Sequence, residues 1–145
     1  TTLRVMHVLV ASDSATVRSL VKESVPDPAA TVHEVTRGVE VVPAIREKTP
    51  DLLVVDLQIG KMGGMAVCQE LHLESGAGRL PGVSILMLLD RRADVFLARR
   101  SHAEGWVVKP LDPIRLGRAM REVLAGRRYE DDSYRPPTVP LPAAN

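Results

Sequence analysis

Cysteine is almost absent from this chain of 145 residues, Cys68 being the only one. An internal disulfide is excluded, and the composition fits a reducing compartment. Long apolar runs are missing as well. The longest, residues 85–89, falls far short of the roughly 20 residues that a membrane helix needs. No small-residue cleavage site follows the strand-like alternation of residues 4–10, so the N-terminus does not read as an export signal. Neither sign of charge dominates. With 19 Lys plus Arg against 18 Asp plus Glu, nothing in the total points to nucleic acid or an anionic membrane as partner. The histidines at 7, 33, 72 and 102 show no metal-type spacing. Gly60, Gly63 and Gly64 are not followed by Gly-Lys-Ser/Thr and lack dinucleotide spacing, so they read as a flexible loop. What remains is a soluble, cytoplasmic protein with one core.

The most informative stretch that is present is 51–56, Asp-Leu-Leu-Val-Val-Asp. Four apolar residues running into a carboxylate describe a short strand buried on both faces, as in parallel sheets flanked by helices. An unpaired charge cannot stay in that interior, so Asp56 marks the strand's C-terminal end. Ligands of open α/β sheets collect at that edge.

Around it the chain alternates. Strands are expected over 5–10, 31–35, 83–89 and 105–109, and helices over 15–23, 37–48, 65–73, 94–101 and from 113 to about 125. Pro43 objects to the second helix and should kink it or delay its start. The last helix has the clearest signals, Asp112 as N-cap, Pro113 in the first turn and Gly126 as stop. Five strand-then-helix repeats predict an α/β fold: a five-stranded parallel sheet with right-handed crossovers and helices on both faces. Residues 1–126 form the domain, and 127–145, with four prolines and little periodicity, are expected to be a flexible tail. Parallel strands point one way, so Asp13, Asp56, Leu89, Asp90 and Lys109 converge on one edge.

That set resembles the receiver domain of two-component response regulators, of the stand-alone chemotaxis type. The resemblance rests on Asp13 after the first strand, Asp56 ending the third, Gly63-Gly64 opening the third helix, and Gly105-Trp106-Val107-Val108-Lys109-Pro110. It implies the flavodoxin-like strand order 2-1-3-4-5. It also implies that Asp56 accepts a phosphoryl group from a histidine kinase or a small phosphodonor. Asp13, Asp56 and the backbone carbonyl of Gln58 would hold Mg2+, Lys109 would bond the phosphoryl oxygens, and Lys109-Pro110 would be a cis peptide. Any catalysis would stop at self-phosphorylation and slow autodephosphorylation. A haloacid-dehalogenase-type phosphatase fits less well, because the second acid it needs two residues on is Gln58 here.

The departures are equally specific. Ser12 stands where the family places a second acid, which weakens the metal site. Leu89 replaces the switch Ser or Thr, and Asp90 replaces the small residue after it. Asp90 would repel an incoming phosphate unless it is metal-bound or turned outward. The loop after Asp56 has Gly60 and lacks the customary Pro. Trp106 occupies the position of the aromatic that swings between exposed and buried. A phosphorylated single-domain regulator is therefore weighed against a phosphorylation-independent pseudo-receiver used for binding, and against the N-terminal fragment of a longer DNA-binding regulator. Residues 90–128 carry ten basic and five acidic side chains. Arg99, Arg100, Arg118 and Arg121 fall on the face of the fourth helix, fifth strand and fifth helix. That face is expected to dock an acidic effector or a second copy, without direct contact to nucleic acid or membrane.

Overall fold

A computed structural model describes residues 4–132. Its strands are β1 (His7–Ala11), β2 (Thr31–Val35), β3 (Leu52–Asp56), β4 (Ile85–Leu89), β5 (Gly105–Val108) and β6 (Tyr129–Glu130). The helices between them are α1 (Ala15–Ser24), α2 (Val41–Glu47), α3 (Gly64–Gly76), α4 (Val95–Arg100) and α5 (Pro113–Leu124). All strands pair in parallel in the order β2-β1-β3-β4-β5-β6. The flavodoxin-like order read from the sequence is present, extended by one strand.

Alternation along the central strands builds two apolar layers. Leu53 and Val55 of β3 pack with α2, α3 and α4, whereas Leu52 and Val54 pack with Val21 of α1 and Leu116, Met120 and Val123 of α5. Every residue of β3 and β4 is buried, so truncating one of their leucines to alanine should cost about 2–5 kcal/mol.

Local chemistry sets the helix starts. Asp112 accepts from the backbone N–H of Arg115 at 2.8 Å with Pro113 in the first turn, and Ser14 does the same for Val17 at 3.2 Å. Pro43 acts by delay. A 3-10 turn, Gly38–Glu40, precedes α2, and the proline falls in the first helical turn, where its missing N–H leaves no bond unmade.

Two glycines bring the loops around Asp56 into contact. A Cβ on Gly64 would lie 2.8 Å from the Cα of Leu57, so only glycine lets α3 start against the end of β3. Gly38 is tighter still, because its Cβ would stand 1.8 Å from the Met62 carbonyl oxygen. The turn before α2 and the loop after β3 are zipped there by Gly38 N–H to Gly60 O and Val39 N–H to Lys61 O, both 3.0 Å. Lys61 and Met62 take left-handed φ of 53° and 87° to complete the fit.

The expected tail begins too early. Tyr129–Glu130 pairs with Gly105 and Trp106 at the sheet edge, and Asp131, 3% exposed, accepts the Val108 N–H at 2.8 Å. The physical reason is that β5 would otherwise leave its backbone groups unpaired. The rest of the expected tail, 133–145, lies outside the described residues. Among the described residues, no helix is long and apolar enough to cross a membrane.

Candidate functional site

At the C-terminal edge of the sheet Asp56 is 2% exposed, a carboxylate kept in the interior by its partners. Lys109, one residue past β5, places its Nζ 3.0 Å from Asp56 Oδ1 and 3.1 Å from Oδ2. Ser12, fully buried after β1, donates its hydroxyl to Oδ2 at 3.0 Å, and the Gln58 N–H reaches Oδ1 at 3.3 Å. Ser12 thus sits where a second acid was missed and supplies a neutral hydrogen bond in its place. It also accepts from the Ser14 N–H at 3.1 Å, which ties the start of α1 to Asp56.

Asp90 turns inward. Its Oδ1 lies 2.8 Å from Lys109 Nζ, shorter than either bond to Asp56, and its Oδ2 is buried with no hydrogen-bond partner among the described residues. The ammonium is therefore shared between two carboxylates. Burial pulls Lys109 toward deprotonation, but the hydrogen bonds and charges of Asp90 and Asp56 outweigh it and hold its pKa above the ordinary lysine value.

The remaining sequence candidates spread out. Asp13 is exposed, with Oδ2 3.6 Å from where a Cβ on Gly60 would be, and among the described residues its carboxylate has no hydrogen-bond or ion-pair partner. Leu89 is fully buried within the apolar layer on the α2–α4 side and presents no hydroxyl to the site. Trp106 is also fully buried, its indole N–H without a partner among the described residues, with the Arg99 guanidinium 5.8 Å from its ring centre. Lys109-Pro110 is a cis peptide.

Two side chains that sequence reasoning passed over frame Lys109 from behind. Asp131 takes the Val108 N–H, while Arg115 donates to the Val108 carbonyl at 2.9 Å and to the Pro110 carbonyl. The backbone on both sides of Lys109 is thereby clamped. No periodicity signals a two-residue strand, and Asp131 had no other mark in the sequence.

The model of the response regulator receiver domain matches residues 8–121. This chain belongs to the receiver family. Among curated proteins, the receiver is 37% identical over 97 residues to the DNA-binding response regulator MtrA of Mycolicibacterium smegmatis, covering 66% of this chain and 39% of that protein. It is 30% identical over 128 residues to MtrA of Mycolicibacterium paratuberculosis, covering 87% and 53%. The chain thus spans about half or less of those relatives. Among solved structures, the receiver superposes on the chemotaxis response regulator CheY4 of Vibrio cholerae with a TM-score of 0.72 at 23% identity, covering 83% of this chain and 99% of that one. That likeness is one of fold.

Proposed function

We propose that this receiver accepts a phosphoryl group on Asp56 and signals through protein contacts from the cytoplasm. The observation that carries the reading is the buried Asp56 carboxylate held at both oxygens by Lys109. An Asp56 oxygen would attack phosphorus as the bond to the donor, a kinase histidine nitrogen or an acyl oxygen, breaks and the leaving group takes that electron pair. Lys109 then follows the negative charge from the carboxylate onto the phosphoryl oxygens. No separate substrate is turned over; the chemistry is self-phosphorylation followed by slow hydrolysis.

The donor set suits a hard cation. Among the described residues Asp13 is an exposed carboxylate with no partner of its own, and with Asp56 and the Gln58 carbonyl it would make an all-oxygen donor set. Among the described residues no three His, Cys, Asp or Glu side chains converge for a metal. Two carboxylates, a carbonyl and several waters are what magnesium accepts, with Ser12 contributing no charge. When bound, Mg2+ would offset negative charge on the phosphoryl group.

Partners would dock on the α4, β5 and α5 face. Phe96 and Ile114 are exposed there, with Arg99, Arg100, Arg118 and Arg121, which favours an acidic protein or a second copy over nucleic acid. Because the curated relatives are longer and named as DNA-binding, an equivalent DNA-binding segment in a longer chain is the corresponding reading for a fragment.

A second reading has its own observation. The 2.8 Å bond from Lys109 to Asp90 already fills a position that a phosphoryl oxygen would use, and Leu89 offers no hydroxyl to report its arrival. On that reading the domain is a phosphorylation-independent binding module. Mass spectrometry after incubation with acetyl phosphate and Mg2+ separates the two. Addition of one phosphoryl group, abolished in Asp56→Asn, supports the acceptor; an unmodified wild type under conditions that label an ordinary receiver supports the module.

A further inference from the structure

The opposite, N-terminal edge of the sheet holds a histidine pair that lies 30 positions apart in the chain. His72 is on the last turns of α3 and His102 lies between α4 and β5; both are exposed, and their rings meet at 81° with centres 5.9 Å apart. His72 Nδ1 lies 2.8 Å from the Cys68 carbonyl oxygen. A carbonyl only accepts, so Nδ1 is a donor here, which in the neutral ring leaves the lone pair on Nε2. This is the arrangement by which a backbone carbonyl orients a metal-ligating imidazole.

The spacing fits a shared ion. A metal–nitrogen bond of about 2.0–2.1 Å puts a metal roughly 3.2 Å from an imidazole centre, so two rings on one tetrahedral ion have centres about 5.2 Å apart. The observed 5.9 Å is about 0.7 Å wider, a gap that small turns of two exposed rings would close. His102 follows the C-cap of α4 with a left-handed φ of 61°, a helix-ending conformation in which histidine is enriched, and this turn sets where its ring stands. The groove between α3 and α4 that the two rings line also presents the exposed Gln69, whose amide oxygen is a further donor. Arg100 is the unfavourable neighbour, but its guanidinium is drawn over the Phe96 ring, 5.7 Å from the centre.

We propose that His72 and His102 bind one divalent transition metal of the zinc class, apart from the acidic edge where Asp56 lies. Imidazole ligands select against magnesium, so the two edges discriminate by donor chemistry. Bridging α3 to the turn before β5 would add a link between the two helices beside the hydrogen bond of Cys68 with Ser101.

The test is a Zn2+ titration of the full chain, followed by calorimetry and by the histidine ring NMR signals, in wild type, His72→Gln, His102→Gln and Asp56→Asn. All three positions can be changed without emptying the apolar layers, and circular dichroism verifies the fold of each variant. With excess Mg2+ present to occupy the oxygen donors around Asp56, one Zn2+ per chain is expected on the histidine pair, with affinity lowered about tenfold or more in each histidine variant and unchanged in Asp56→Asn. Binding absent from the wild type, retained in either histidine variant, or lost in Asp56→Asn overturns the proposal.

Discussion

Replacing Asp90 by asparagine should speed phosphoryl transfer to Asp56. In the wild type Lys109 must give up, or share further, a 2.8 Å bond to Asp90 before it can follow charge onto an incoming phosphoryl group. A hydrogen bond between charged partners contributes about 1.5–3 kcal/mol when well buried. The Asp90 side chain is 34% exposed, which brings the figure down toward about 1 kcal/mol. A second contribution is repulsion. Two like charges about 5 Å apart at an effective dielectric of about 20 interact by roughly 3 kcal/mol before screening by water and salt, and a phosphoryl group bonded to Lys109 would stand near that distance from Asp90. Taking only about half of that repulsion as surviving screening, the two together lower the barrier by about 1.5–2.5 kcal/mol, or roughly 10- to 70-fold in rate. Initial rates of phosphorylation by acetyl phosphate, read by mass spectrometry at fixed Mg2+, give the comparison, and the advantage should shrink as ionic strength rises. An Asp90→Asn rate equal to or below the wild type would refute the reasoning, and so would a gain that salt does not diminish.

Gly38→Ala drives a Cβ into the Met62 carbonyl and must part the two loops; a loss of at least about 3 kcal/mol in urea unfolding is expected, and a change under about 1 kcal/mol would show that the loops yield freely. His7 has its pKa lowered by burial first and then by Lys48 and His33, against the opposing pull of Asp51. The folded protein therefore binds fewer protons there than the unfolded chain, so stability should be full above the ordinary histidine pKa of about 6.5 and fall as pH drops below it. His7→Gln should flatten that part of a chemical-denaturation pH profile, and an unchanged slope would assign the loss to other groups. Burial pushes the Cys68 thiol up to about 12, helped by the charge of Glu104. Iodoacetamide at neutral pH should leave it unmodified in the native protein and label it after denaturation; rapid native labelling would contradict its burial.

The parts of the fold that could be read in advance are those where one residue type has one physical use. The run 52–55 can only be buried on both sides, and Asp112-Pro113 can open a helix but not continue one. Asp56 and Lys109 could be paired because parallel strands force their ends together. Direction was harder than position: Asp90 was placed at the edge, but its turn toward Lys109 depends on a side-chain torsion that no pattern records. Trp106 was placed on β5, while its full burial depends on what packs over it. Tyr129–Glu130 and the His72–His102 pair were missed for a shared reason, that two residues carry no period and a contact across 30 positions leaves no spacing.

The clamp on β5 gives the molecule a mechanical continuity. Asp131 grips Val108, Val108 leads directly into Lys109, and Lys109 grips Asp56, so three successive links run from the end of the last described strand to that buried carboxylate. Tension applied to the backbone after residue 132 would reach the ammonium without passing through any helix. Thermodynamic reciprocity makes any coupling along this path two-way: if charge arriving on Asp56 alters how firmly β6 is held, then whatever holds or frees β6 alters how readily Asp56 takes charge.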